Sequence, residues 1–181
     1  MIYAMRVARK EKELYENLKE GNFKNITENE ERKVEILSIL EKLGYPMTNL
    51  GTYLYKDLIS YVCDIIEDIG INVLQSENKK ILEFLNNRYS SLYIWIARED
   101  KKLGCKTFHL YIEDAISKID KEKLDTSLAS RIYRTKKDIT YGTVALHIAE
   151  YYLNGHTYDN GIDYKLPKVK KLQNATLEKQ D

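Results

Sequence analysis

The segment EKLGYPMTNLGTYLYKDLISYV, residues 41–62, constrains the fold more than any other part of the chain. Gly44, Pro46 and Gly51 fall within eight residues, and a strongly apolar pattern follows them. Apolar side chains spaced three and four residues apart lie on one face of an α-helix, and here they are Leu54, Leu58, Tyr61, Val62, Ile65, Ile66 and Ile69. We therefore expect a buried central helix that begins after a turn fixed by Pro46 and Gly51.

The same periodicity predicts helices before and after this central element. Thr27 and Glu30 have the spacing of a capping box, and Gly44 suits the position just after the last turn of the helix that they begin. Ser76 and Thr140 are candidate caps of later helices. Clusters of Val, Ile and Thr at alternating positions, which mark strands, are absent from the sequence. The sequence predicts an all-α fold, a multi-helix bundle, with helices near residues 2–20, 30–43, 54–69, 77–85, 92–97, 105–119 and 140–153.

Length and composition predict one main domain. The chain has 181 residues, of which 43% are hydrophobic and 31% are charged, and this is enough for one ordinary core. We expect a helical extension at residues 1–32, a domain at 33–155 and a basic, flexible tail at 156–181. Charged residues begin at Arg6, and no apolar run is long enough for a signal peptide or a membrane span. These features predict a cytoplasmic protein without a membrane partner.

Residues with catalytic or metal-binding chemistry are sparse. Cys63 and Cys105 lie on apolar helical faces and are expected to be buried thiols without a disulfide. His147 and His156 are expected on a helix surface and in a loop. Trp95 and the fifteen tyrosines have helical spacings typical of packing rather than of base stacking. Since no nucleophile elbow, Walker glycine loop or HExxH sequence occurs, we expect no enzyme, no metal and no cofactor.

Residues 92–119 indicate a helix-turn-helix arrangement. Two predicted helices are separated by a short connection that contains Lys102, Leu103 and Gly104, and the small Ala97 lies where two crossing helices would touch. Helix-turn-helix pairs often place their second helix in the major groove of DNA. The sequence therefore indicates a DNA-binding module, although such helix pairs also occur in α-proteins with other functions.

Basic residues are concentrated in the same part of the chain. Residues 98–137 contain eleven Lys and Arg against seven Asp and Glu, and residues 165–181 contain five Lys against two acids. The formal net charge of the whole chain is only +1. Clustered positive charge favours contact with phosphate groups. A solvated, lysine-rich helix face is the alternative interpretation.

Several stretches resemble one bacterial family. They are LGYPMTNLGTYLYKDLI, then Leu92-Tyr93-x-x-Ile96-Ala97, then Ala115-Ile116, and finally Thr135-Lys136 followed by the helix from Thr140. Their order and spacing over residues 34–153 are similar to those of the DNA-binding effector domain of the master response regulator of endospore formation. The resemblance implies an effector domain without the family's receiver domain, because residues 1–33 are too few to form one. It also implies that the helix at 105–119 is the recognition helix.

This predicted recognition helix departs from the family pattern. Family members place several arginines along it to reach guanine edges and phosphates, as the forked guanidinium allows. The corresponding positions hold Thr107, His109, Leu110, Glu113 and Asp114. The connection before the helix is also one residue longer than in the family. We therefore do not expect the family's DNA sequence preference to be kept.

Two functions stay open on the sequence alone. The first is a sequence-specific DNA-binding transcriptional regulator, whose partner is double-stranded DNA. The residues expected near bases or phosphates on the recognition helix are Lys106, Thr107, His109, Leu110, Glu113 and Asp114, and those expected to hold the backbone are Lys101, Lys102, Arg131, Arg134, Lys136 and Lys137. The second is a protein-interaction module, an antagonist or adaptor of a regulator or of RNA polymerase, that kept the fold and lost the DNA surface. A homodimer or a protein partner is compatible with either function.

Overall fold

A computed structural model of the chain describes residues 13, 16, 20, 29–69, 79–133, 139–155 and 165–169, with the backbone alone at 69, 79 and 80. Within these residues the fold is all-helical, as the sequence predicted, and contains no strand. A π-helical turn, Ile96–Asp100, extends the fourth helix. The helices of this part are α1 Glu30–Lys42, α2 Leu50–Ile69, α3 Lys79–Asn86, α4 Ser91–Trp95, α5 Cys105–Ser117, α6 Thr126–Ile132 and α7 Tyr141–Asn154.

Helix α1 begins and ends at well-defined caps. Its N-cap is Asn29, whose side-chain oxygen accepts a hydrogen bond of 3.0 Å from the amide of Arg32. The capping box predicted at Thr27 is therefore wrong, and Thr27 itself lies outside the described residues. At the other end Gly44 has φ +82°, and the amide of the next residue, Tyr45, donates to the carbonyl of Leu40 at 3.0 Å. This is a Schellman motif, so the predicted role of Gly44 is confirmed.

Helix α2 is the central element, as predicted. Leu58, Val62 and Ile66 are fully buried on it, and α1, α5 and α7 all pack against it. The role predicted for Gly51 was wrong, because this residue lies inside α2 rather than in the preceding turn. A Cβ at Gly51 would lie 1.8 Å from the carbonyl oxygen of Tyr111 on α5. The glycine is therefore needed where the backbones of two helices touch.

Helix α7 closes the other side of the core. Its N-cap is Thr140, which accepts from the amide of Thr143, and it ends at Gly155 with φ +67°, so both predicted limits are confirmed. Buried tyrosines connect it to its neighbours, since the Tyr55 hydroxyl donates to the carbonyl of Tyr141 at 2.6 Å. The tyrosines fully buried in the described core are Tyr55, Tyr93 and Tyr133. Packing, as expected, is the role of these three rings.

Two turns that are distant in the sequence hold each other by backbone hydrogen bonds. The amide of Asp120 donates to the carbonyl of Gly44 at 2.8 Å, and the amide of Asp125 donates to the carbonyl of Lys42 at 2.7 Å. We call this pair of contacts the turn clasp. Asp125 is also the N-cap of α6, a helix that the sequence analysis missed, and its carboxylate accepts from the amide of Leu128 at 3.1 Å.

The predicted terminal segments are described only in part. Glu13, Glu16 and Glu20 are helical and exposed, and the rest of residues 1–28 lies outside the described ranges. The boundary predicted at residue 32 falls inside α1. In the C-terminal segment, Leu166 and Val169 pack against the core, and the amide of Lys168 donates to the carbonyl of Ile139 at 3.3 Å. The prediction of a flexible tail is therefore wrong for residues 165–169, while 156–164 and 170–181 lie outside the described residues.

The cysteines and one histidine complete the core. Cys63 and Cys105 are both buried and free, as predicted, and burial raises the pKa of the Cys63 thiol to about 12. His147 was expected on a helix surface, but it is buried, with its Nδ1 2.9 Å from the carbonyl oxygen of Ile132. His156 lies outside the described residues. None of the described helices is long and apolar enough to cross a membrane.

Candidate nucleic-acid interface

The predicted helix-turn-helix corresponds to α4 with its π-helical turn, a short connection, and α5. The connection is tight, because the amide of Leu103 donates to the carbonyl of Ala97 at 2.7 Å. Its left-handed residue is Lys102, with φ +55°, whereas Gly104 has φ −66° and serves as the N-cap of α5. Gly51 then lets α5 lie directly on α2. The position of α5 is thus fixed at its start and along its length.

One line of positions on α5 contains three of the predicted DNA contacts, Lys106, Leu110 and Glu113. Lys106, Leu110, Glu113 and Ser117 follow one another at spacings of four, three and four residues, so they share a face of the helix, and we call them the recognition stripe. Lys106 and Ser117, at its two ends, are exposed. Leu110 is 1% exposed and Glu113 is 3% exposed. The middle of the stripe therefore does not reach the surface.

Glu113 is held inside the protein by Arg88. The Nη1 group of Arg88, in the connection between α3 and α4, donates to the carboxylate of Glu113 in a short charge-assisted hydrogen bond. Burial alone would lower the pKa of Arg88, but the hydrogen bond and charge of Glu113 raise it above its ordinary value. Glu113 was predicted to contact DNA, and in this structure its carboxylate is buried and bound to Arg88 instead of lying at the surface.

His109 is also used within the protein. It is 1% exposed, and its Nε2 lies 2.7 Å from the carbonyl oxygen of Arg88 while its Nδ1 contacts the hydroxyl of Tyr141. The carbonyl can only accept, so Nε2 carries the proton and Nδ1 accepts from Tyr141. Burial lowers the pKa of His109 to about 4. His109 and Leu110 were predicted to contact bases, and in this structure both side chains are buried.

Asp114 is half-buried and connects α5 to the start of α2. Its Oδ2 accepts from the side-chain amide of Asn49 at 3.0 Å and from Lys118 at 3.0 Å. The side-chain oxygen of Asn49 accepts from the amide of Gly51 at 2.8 Å. These contacts position the helix pair, and they neutralise part of the charge that would repel a phosphate.

Lys101 was expected to hold the DNA backbone, but it is part of an ionic cluster. Its Nζ lies 2.6 Å from Oδ2 of buried Asp57 and 3.2 Å from Asp100. Lys33 and Lys56 approach the other oxygen of Asp57 at 3.6 Å and 3.5 Å. Burial lowers the pKa of Lys101, and the hydrogen bond to Asp57 outweighs this and raises it. The cluster joins α1, α2 and the connection before α5.

The remaining predicted contacts among the described residues lie on different elements. Lys102, Lys106 and Arg131 are exposed, and Thr107 is half-buried. Arg131 lies on α6, which packs mainly on α7. The predicted residues Arg134, Lys136 and Lys137 lie outside the described residues. Lys102 and Lys106, near the start of α5, are the predicted phosphate contacts that stay free to bind on the described part of this helix pair.

Sequence reasoning missed three residues that decide the geometry of this site. Arg88 lies in the polar stretch Asn87-Arg88-Tyr89, whose composition indicates a turn and gives no sign of a partner 25 residues away. Asn49 precedes α2, and an Asn before an apolar run is a recognisable N-cap signal. Tyr141 follows the predicted cap Thr140, and no local pattern shows that its hydroxyl contacts His109.

Comparison with family models, with curated proteins and with solved structures gives no match for this chain. The resemblance to the sporulation effector domain therefore stays a prediction. Among the described residues, no group of three or more His, Cys, Asp or Glu side chains could hold a metal ion.

Proposed function

We propose that the chain is a protein-interaction module rather than a protein that recognises DNA sequence through α5. The observation that carries this proposal is the burial of Leu110 and Glu113 in the middle of the recognition stripe. Base recognition in the major groove requires side chains that reach base edges from an exposed helix face. In this chain the stripe that holds three of the predicted contacts has only its two ends at the surface, and the outward side of α5 instead presents half-buried Thr107, Tyr111 and Asp114 and exposed Lys118.

The energetics of the Arg88–Glu113 pair support the same proposal. To turn Glu113 toward DNA, the protein would have to break a charge-assisted hydrogen bond and expose apolar Leu110. A hydrogen bond to a charged group contributes about 1.5–3 kcal/mol, and phosphates would repel the freed carboxylate. Exposing Glu113 and Leu110 would therefore cost free energy within the protein and would also bring a negative charge close to the DNA phosphates.

The class of partner follows from the sequence resemblance. An effector-like fold without a free recognition face suits an antagonist or adaptor that docks on a transcription regulator or on RNA polymerase. Such a module needs surfaces that bind protein, and the described surface offers apolar side chains for this. The large hydrophobic residues exposed there are Val34, Leu50, Tyr53 and Tyr89.

DNA binding is the second candidate, and the exposure of Lys102 and Lys106 near the start of α5 favours it. Two ammonium groups near a helix N-terminus suit a phosphate. Contacts of this kind position a protein on DNA but carry no sequence information. In this case the chain would bind duplexes with little regard to their sequence.

Fluorescence anisotropy with labelled duplexes at about 50 mM salt tests the choice, because low salt strengthens every phosphate-driven complex. We expect no duplex in a randomised pool to be enriched, and any residual binding to fall equally for all sequences in a Lys102→Ala/Lys106→Ala double variant. A duplex that binds at least about 1,000-fold more tightly than random DNA would contradict the interaction module, since this is the lower range of specific recognition.

A positive test looks for the partner itself. The full-length chain, tagged and cross-linked in its own cells, is expected to recover a transcription regulator or an RNA polymerase subunit. The purified pair should then form a complex of defined stoichiometry in solution. Failure of every recovered protein to bind the purified chain would contradict the proposed function.

A further inference from the structure

An open groove runs between α1 and α7, away from the recognition stripe. Its volume is about 450 Å³, within the range of pockets that hold several side chains or a small ligand. Half-buried Ile39, Tyr151 and Tyr152 line it. These side chains present apolar and aromatic surface that is neither fully covered by the core nor fully in solvent. Tyrosines in such partly enclosed positions are enriched among the residues that dominate binding energy at protein interfaces.

The rim of the groove is charged and exposed. Glu35 and Ser38 lie on it, and Lys42 lies further along the same helix. The exposed charged side chains of α1 are four carboxylates and one ammonium group, on Glu30, Glu31, Glu35, Glu41 and Lys42. The helix therefore presents a strongly acidic surface, in a chain whose net charge is +1.

The two other cations of α1 are buried, and Lys33 lies 3.8 Å from Glu30, so it offsets part of the charge of that carboxylate only. Arg32 is buried, with its guanidinium 2.6 Å from Asp64 and 2.5 Å from Glu67 on α2. Lys33 is buried beside Asp57, 3.6 Å away. Val34, between these cations and Glu35, is 68% exposed. An apolar side chain surrounded by carboxylates is thus available next to the groove.

The phenol of Tyr152 lies in the same electrostatic surroundings. Burial raises the pKa of Tyr152 and the charge of Glu35 raises it further, while the charge of Arg32 and a hydrogen bond with its side chain act in the opposite direction. The phenol therefore stays protonated over the physiological pH range.

We propose that this α1–α7 groove is a docking site for a basic, apolar segment of another protein, with apolar anchors on Tyr151 and Tyr152 and Lys or Arg beside Glu35. Charge complementarity selects the partner: Glu35 in the groove lining and exposed Glu31, one turn earlier on the same face of α1, attract a basic segment and repel an acidic one at this end of the groove, while Lys42 lines the other end. The same carboxylates repel nucleic acid. This proposal rests on the proposed interaction function and names the surface that performs it.

The probe is a library of synthetic 12-residue peptides, each with Leu or Phe anchors four residues apart and Lys or Arg at the flanking positions. A matched library carries Glu in place of every Lys and Arg. Binding to the full-length chain is measured by fluorescence anisotropy. We expect the basic library to contain binders with Kd values of about 10–100 μM, as for short, unconstrained peptides, and the acidic library to contain none.

Three variants test whether binding occurs in the groove. Glu35→Lys reverses the rim charge and is expected to weaken the basic binders about tenfold. Glu41→Lys makes the same change at an exposed carboxylate of α1 outside the groove lining, and should change Kd less than about threefold. Ser38→Trp places a large ring in the groove and should abolish binding. All three positions are exposed, so thermal melting should confirm an intact fold.

Each contrary outcome overturns the proposal. The groove is excluded if no peptide of the basic library binds at 1 mM, which means a binding free energy weaker than roughly −4 kcal/mol. It is also excluded if Glu35→Lys and Glu41→Lys change Kd equally, or if Ser38→Trp leaves Kd unchanged. Self-association that Ser38→Trp removes would assign the groove to a second copy of the chain. If a complex with a partner protein survives the Ser38→Trp substitution, the groove is not the docking site, but the proposed interaction function still holds. If the chain binds DNA sequence-specifically and also binds the basic peptides, only the proposed interaction function is contradicted.

Discussion

At Gly51 the absence of a side chain allows two helices to touch backbone to backbone. A Gly51→Ala methyl group would lie 1.8 Å from the carbonyl oxygen of Tyr111, which is backbone and cannot rotate away. We expect this change to lower the free energy of unfolding by at least about 2 kcal/mol, despite the roughly 1 kcal/mol that alanine gains in a helix. Urea unfolding measures the difference.

Gly104→Ala is the matched control for this prediction. Its methyl group would lie 3.7 Å from the Thr107 hydroxyl oxygen, an ordinary contact distance, so the loss should not exceed about 1 kcal/mol, the effect of a poorer N-cap residue. Equal stability of the Gly51→Ala protein and the wild type would mean that α2 and α5 do not make this contact.

His109 makes stability depend on pH in a defined direction. Its pKa is about 4 in the folded protein, against an ordinary value of 6.5, so the unfolded state binds more protons between these two values. Stability is therefore complete above about pH 6.5 and is lost as the pH falls toward 4. The groups that contact the ring are the backbone carbonyl of Arg88, the hydroxyl of Tyr141 and the ring of Tyr93, and the charge of Arg88 adds to the effect of burial on the pKa.

We expect the His109→Gln variant to lose this part of the pH dependence. From pH 7 to pH 4, the unfolding free energy of the wild type should fall by roughly 2–3 kcal/mol relative to that of the variant, as expected for a pKa lowered from 6.5 to about 4. Urea titrations at a series of pH values measure it. Parallel pH profiles for the two proteins would show that His109 titrates normally and is not buried.

At the scale of helices, α1 offers a direct test of its cap. Asn29→Ala should lower the free energy of unfolding by about 1 kcal/mol, because it removes the acceptor for the amide of Arg32. Thr27→Ala, at the residue that the sequence pattern favoured, should change it by less than about 0.5 kcal/mol. Thermal melting of both variants is sufficient. A larger loss at Thr27 would restore the capping box.

The long helices were largely predictable because each carries a long apolar stripe that packs against the core. The stripe of α2 and the glycines that follow α1 and α7 fix these elements from local sequence. Helix α6 was missed because its seven residues, Thr126–Ile132, give too short a pattern, although Asp125 before Leu128 is a cap signal. The π-helical extension of α4 likewise has no periodic signature.

The candidate site was much less predictable than the helices. Sequence spacing identified α5, but polar residues such as His109 and Glu113 gave no sign of being buried. Their burial depends on Arg88, 21 and 25 residues away in sequence, and local patterns do not encode such tertiary pairing. A buried charged or polar side chain needs a partner, and only the folded chain shows which partner it has.

At the scale of the whole molecule, the domain boundary can be tested by truncation. Helix α1 has its own cap at Asn29 and packs on α2, so a protein lacking residues 1–24 should keep its fold. Its circular dichroism spectrum per residue and its cooperative melting should match those of the full chain. An unfolded truncated protein would place residues 1–24 within the core.

The turn clasp makes two surface turns behave as interior structure. Amide protons in irregular turns are usually among the fastest to exchange with solvent, because only a small local opening is needed to expose them to water. The amides of Asp120 and Asp125 instead donate to the carbonyls of Gly44 and Lys42, which lie 76 and 83 residues earlier in the chain. In hydrogen–deuterium exchange, the amide protons of Asp120 and Asp125 should exchange only when α1 and α2 unfold. The amide proton of exposed Lys121, which lies between them in the sequence, should exchange much earlier. The slowest-exchanging unit of the protein would then extend beyond its helices and include a loop.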